Sequence, residues 1–161
     1  MGYQQDVRVN NFNKVLRFSP TLQAGATDNN DVAWNSLEIT NAVMKPGGCS
    51  RLLRLDVINY TDTTCNFDLV FTENPCTLGT VDAAVSIADA DLKTAKFLGS
   101  VIFNQAEGQV DLINSLTAPA SAVGTASFDL TSQGLLLQAA EGSTSVYVGG
   151  IDRTGADVDD L

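Results

Sequence analysis

The stretch Cys65-Asn66-Phe67-Asp68-Leu69-Val70-Phe71-Thr72-Glu73-Asn74-Pro75 decides the fold class. Phe67, Leu69 and Phe71 fall on one side of an extended chain, and Asn66 and Asp68 fall on the other, because strand side chains alternate faces with a period of two. The run stops at Asn74-Pro75. Further on, Ala84-Val85-Ser86-Ile87-Ala88-Asp89-Ala90-Asp91-Leu92 forms an acidic half-turn. Ser86 is read there as an N-cap, with Asp89 three residues later in the first turn. Leu92-Lys93-Thr94-Ala95-Lys96 allows one or two helical turns, and residues 97–103 return to an apolar strand.

Working outward, residues 34–40 read as a strand, followed by the turn signal Lys45-Pro46-Gly47-Gly48. A long strand over residues 50–60 directs Leu53, Leu55 and Val57 to one face and Arg54 and Asp56 to the other. Asp62-Thr63-Thr64 is read as a hairpin turn into the Phe67 strand. Residues 109–114, 127–130, 134–140 and 144–150 supply further strands, and Glu141-Gly142-Ser143 is read as a hairpin turn between the last two. Residues 6–9 and 14–18 suggest a strand pair or an extended arm. Residues 19–31 and 116–124 carry loop composition. Roughly eight to ten short strands and one helical turn predict an all-β, antiparallel β-sandwich that is jelly-roll-like. The expected organisation is an N-terminal arm or first strands with an exposed loop over residues 1–31, the sandwich over 32–151, and an acidic tail over 152–161.

The chain has 161 residues, enough for one domain with a sizeable core, and 44% of them are hydrophobic. Nine basic residues against nineteen acidic ones give a formal charge of −10. Arg8, Lys14, Arg17, Lys45, Arg51, Arg54, Lys93, Lys96 and Arg153 form no run, so a nucleic-acid partner is disfavoured. No stretch reaches the ~20 apolar residues of a membrane helix, so no membrane partner is expected. The start, Met1-Gly2-Tyr3-Gln4-Gln5-Asp6, has neither a basic region nor an apolar run, so the expectation is synthesis in a cytoplasm without secretion.

The chain contains no histidine, which removes Ser–His–Asp and Cys–His catalysis and the commonest zinc ligand. Cys49, Cys65 and Cys76 match no zinc spacing, and three thiols cannot all pair within one chain. A Cys65–Cys76 bridge and a reactive Cys76 are the other readings of the thiols; no basic residue near Cys76 in sequence would lower its pKa. Asp89/Asp91 and Asp157/Asp159/Asp160 pair carboxylates, but without an Asp-x-Asp-x-Asp-Gly loop they read as a helix start and a solvated tail rather than a calcium site. Trp34, Tyr3, Tyr60 and Tyr147 read as packing aromatics, with a sugar platform as the alternative. No catalytic, cofactor-binding or metal-ligating residue is assigned, and no cofactor is expected.

The segments Phe67-Asp68-Leu69-Val70-Phe71, Ile87-Ala88-Asp89-Ala90-Asp91-Leu92 and Gly99-Ser100-Val101 resemble those of small tailed-phage proteins encoded among head genes. Gly134-Leu135-Leu136-Leu137-Gln138-Ala139 and Gly142-Ser143-Thr144-Ser145-Val146-Tyr147-Val148 extend the resemblance. Such proteins look like capsid decoration (cement) proteins. The resemblance covers residues 37–153 and departs at the acidic C-terminal residues, where an apolar strand would be expected. It implies a non-enzymatic virion protein on the outer capsid surface that binds and stabilises major capsid subunits. Local symmetry axes of a shell favour a homo-oligomer, with a trimer favoured. The alternative is a receptor- or glycan-binding module of a phage head or tail fibre.

Overall fold

The computed structural model describes residues 14–20, 29–59, 66–104, 109–111, 124–129 and 134–153. Nine strands and one helix are found there: β1 (Val32–Ile39), β2 (Cys49–Leu52), β3 (Arg54–Asn59), β4 (Asn66–Thr72), α1 (Asp89–Ala95), β5 (Phe97–Asn104), β6 (Gln109–Asp111), β7 (Gly124–Asp129), β8 (Leu135–Gln138) and β9 (Val146–Asp152). All strand pairs are antiparallel. One sheet has the order β1-β9-β4-β5, so the last strand returns to lie between the first and β4. The second layer consists of β2 on β8 and of β3-β7-β6. The expected all-β antiparallel sandwich with jelly-roll-like connectivity and one short helix is what the chain forms.

The alternation in β4 builds the core. Phe67, Leu69 and Phe71 are buried beside Val101 and Phe103 of β5 and Val146 and Val148 of β9. From the other layer come Leu55 and Leu137. The Phe67 ring meets Trp34 edge-on at 5.2 Å between centroids and stacks on Phe103 at 6.5 Å, both favourable aromatic arrangements. Two adjacent glycines in β9 admit bulk on opposite faces. A Cβ on Gly150 would lie 2.4 Å from the Trp34 ring on the core side, and one on Gly149 would lie 2.7 Å from Leu78 on the outer side. The Leu16 and Phe18 side chains, in a segment without strand structure, pack against the same core. The rest of the expected N-terminal strand pair, residues 6–13, lies outside the described residues.

Three local expectations are corrected. The expected hairpins through residues 62–64, which lie outside the described residues, and through 141–143 do not form, since β3 and β4, and likewise β8 and β9, belong to different sheets. A turn motif reverses the chain but does not decide whether the flanking strands pair. Leu53 does not share a face with Leu55: it is exposed, whereas Leu55 is buried. Leu52 faces Leu135 of β8 and Arg54 faces Asp129 of β7, so Leu53 lies where the chain changes partner strands. The ladder is broken there and the alternation shifts by one. Finally, the helix begins at Asp89 after the N-cap position Ala88, which makes no side-chain cap hydrogen bond. The Ser86 amide is tied back to the Leu78 carbonyl at 2.9 Å instead.

Candidate interaction surfaces

The two outer sides of the sandwich are built differently. Over the β1-β9-β4-β5 sheet, residues 73–96 form a covering layer. Cys76, Leu78 and Ala95 are buried there with Val32 and Ile151, and Val81, Val85 and Ile87 pack around them. The loop is held by a bulge in β1. Trp34 faces Gly150 and Leu37 faces Val148, so Asn35 and Ser36 together oppose Gly149. Their side chains clamp the loop: Asn35 Nδ2 donates to the Gly79 carbonyl at 2.9 Å, the Leu78 amide donates to Asn35 Oδ1 at 2.7 Å, and the Cys76 amide donates to Ser36 Oγ at 2.9 Å. The loop thereby also shields part of the β1 edge, through bridges from Asp31 to Ala84 and Val32 to Val81.

The cover stops short of β5. Phe97 and Ile102 are exposed, and a cleft of about 250 Å³ runs between α1, the preceding loop and the outer face of β4 and β5. Leu92, Phe97, Ile87, Val85 and Ile151 supply its apolar lining, with Asp68 at one side. Arg153 Nε donates to Asp68 Oδ2 at 2.7 Å, and Arg153 Nη1 also donates to Asn30 Oδ1. At the other end, Lys96 Nζ pairs with Glu73 Oε1 at 2.5 Å, while the Glu73 and Asn74 amides donate to the Lys96 and Ala95 carbonyls. These contacts fasten the helix C-terminus to the end of β4.

Among the described residues, nothing comparable covers β2 and β8 in the second layer. Leu136 and Leu53 are 56% and 42% exposed. Arg51 faces Leu136 across the ladder, and its stem runs so close over Gly134 that a Cβ there would lie 2.6 Å from Arg51 Cδ. Arg51, Arg54, Cys49 and Gln138 are exposed with the two leucines. Two arginines thus flank an exposed aliphatic pair in a chain of net charge −10, and arginine is enriched at protein interfaces.

The residues weighed for chemistry are dispersed. Asp89 and Asp91 are exposed in the first turn of α1, where negative charge complements the helix dipole. Among the described residues no group of three His, Cys, Asp or Glu could hold a metal ion, and no helix is long and apolar enough to cross a membrane. Cys76 is a free, buried thiol and Cys49 a free, exposed one. Burial pushes the Cys76 thiol pKa up, and the Asp91 charge adds to that, so the reactive-thiol reading loses its physical basis. Trp34 lies in the core rather than on a surface, with its Nε1 unpartnered among the described residues. Tyr147 is half-buried on β9. Tyr3, Tyr60, Cys65, Asp157, Asp159 and Asp160 lie outside the described residues. The sequence reading missed the bare leucine–arginine face, whose signal was two adjacent strands each carrying one apolar residue too many for a single buried side.

No protein-family model matches this chain, and comparison with curated proteins and with solved structures finds no match either.

Proposed function

We propose that the protein is a non-enzymatic structural component of a tailed-phage virion that decorates the outer capsid surface and stabilises it by binding major capsid subunits. The observation that carries this reading is the exposed Arg51–Leu53–Leu136 face, which no described residue covers, on one side of a strand-built core. A decoration protein requires a rigid body and a docking face, and it requires no reactive centre. Leucines and arginines on adjacent strands present apolar contact and multidentate donors from a rigid surface, so little side-chain entropy is lost on docking beyond the arginines themselves. The net charge of −10 suits an outer location better than contact with packaged DNA. The Ala88–Leu92 motif and the β8 and β9 segments that resemble head-gene proteins add to the same reading. A homo-oligomer, with a trimer favoured, matches the local symmetry of a shell. Synthesis in the host cytoplasm precedes assembly on the virion.

The test is stoichiometry. Quantitative mass spectrometry of purified virions is expected to give a ratio to the major capsid protein near one, or a simple lattice fraction of it. A ratio of about one per cent would instead favour the fibre module, since fibres occur in few copies. Absence from the particle would remove both readings.

A further inference from the structure

We infer that the β2–β8 face takes a protein partner presenting a carboxylate flanked by aliphatic side chains, with Arg51 as the residue that selects it. The inference rests on the capsid reading for the bearer of that carboxylate, which is then the major capsid subunit. Its basis is the unmet guanidinium of Arg51. Other cations already have partners: Lys96 pairs with Glu73, Arg153 pairs with Asp68, and Arg54 has an interaction of its own within the chain. Arg51 is exposed and has no acceptor among the described residues, although the chain carries nineteen Asp and Glu.

Arg51 is also held in place. It stands opposite Leu136 in the ladder. Its stem crosses Gly134, where an added Cβ would lie 2.6 Å from Arg51 Cδ and 2.8 Å from Cγ. Gly134 has a φ of +42°, so a residue without a side chain both makes the turn into β8 and leaves room for the stem. Gly134 precedes Leu135, the partner of Leu52, so the stem leans along the strands toward Leu53. A planar fork fixed beside two exposed leucines donates two parallel hydrogen bonds to one carboxylate. Aliphatic contact around such a pair excludes water and strengthens it.

The face does not complement itself. A two-fold contact sets one patch against its own copy. The exposed positions of this ladder are Cys49, Arg51, Leu53, Leu136 and Gln138, none of them acidic, and Glu141 lies in the turn beyond the Cys49–Gln138 end. Two copies joined there would bring guanidinium groups together without an acceptor between them. A nucleic-acid phosphate fits less well, because a chain of net charge −10 repels it.

The experiment is cosedimentation of the full chain with capsid shells stripped of it, at about 0.05 and about 0.5 M salt, beside sedimentation velocity of the free protein. Arg51→Gln is expected to lower occupancy at least about tenfold at the lower salt, and Arg51→Lys by less, since an ammonium keeps the charge without the fork. Binding of the wild-type chain should weaken as salt rises, and binding of Arg51→Gln should weaken less, which a purely structural role for Arg51 would not produce. Melting temperature and sedimentation coefficient should stay unchanged in both variants. Wild-type occupancy by Arg51→Gln, on shells that bind the wild-type chain, would overturn this inference and leave the capsid reading standing. A smaller free species in Arg51→Gln would overturn it too, by assigning the face to a second copy. Shells that bind no wild-type chain would overturn the capsid reading, and this inference with it.

Discussion

The outer side of the β1-β9-β4-β5 sheet and the outer side of the β2–β8 ladder are both strand surfaces of one sandwich, yet among the described residues one is covered and the other bare. On the first, a 24-residue excursion between β4 and β5, residues 73–96, buries Leu78 to 3% exposure. On the second, Leu136 stays 56% exposed beside Arg51. The chain thus invests its longest described connection in closing one face and leaves apolar surface on the other. Burial of apolar area is the main stabilising term in folding, so the covered face belongs to the fold. The exposed leucines contribute less to it and, on the proposed reading, form the docking surface.

The largest expected effect lies between the two faces. Phe67→Ala, in the shared core, is expected to lower stability by about 3–5 kcal/mol, measured by urea unfolding. A loss below about 1 kcal/mol would mean the core does not sit where β4 places it. Next comes the same substitution on the two outer sides. Leu78→Ala should cost about 2–4 kcal/mol as a buried truncation, whereas Leu136→Ala should stay within about 0.5 kcal/mol. Equal effects would dissolve the distinction. Gly149→Ala is expected to cost about 1–2 kcal/mol, because the new methyl crowds Leu78 but meets a side chain able to shift.

The thiols sharpen the contrast at a smaller scale, since Cys76 lies under the cover and Cys49 on the bare side. In variants that retain one of the two and replace Cys65, Cys49 should react with a maleimide at least about tenfold faster than Cys76. The sign for pH follows from the raised Cys76 pKa. Above the ordinary thiol value near 9.0 the unfolded chain releases its proton first. Stability contributed by the neutral buried thiol is therefore present below that pH and is lost as pH rises past it. Cys76→Ala should flatten the alkaline side of the stability profile, and a steeper fall in that variant would contradict the assignment.

Much of the sandwich was legible because it rests on local alternation. Phe67, Leu69 and Phe71 announce a buried face, and Lys45-Pro46-Gly47-Gly48 announces a turn, whatever the rest of the chain does. The failures share one cause: they depend on residues distant in sequence. Whether Asp62-Thr63-Thr64 joins paired strands depends on where β9 inserts. Leu53 faces outward because it lies at the break between the β8 and β7 ladders. The bulge that turns Asn35 and Ser36 toward residues 76–79 exists only in register with Gly149. The bare face was invisible for the same reason, since Arg51 and Leu136 are neighbours only across the ladder.

The most direct test of the bare face as a docking surface is cosedimentation of the Leu53→Ser/Leu136→Ser variant with capsid shells stripped of this protein. Occupancy is expected to fall at least about tenfold, equivalent to the ~1.4 kcal/mol that two lost apolar contacts supply, while the melting temperature moves by less than about 4 °C. Wild-type occupancy by a variant that melts normally would contradict it and leave the leucines without a partner on the capsid.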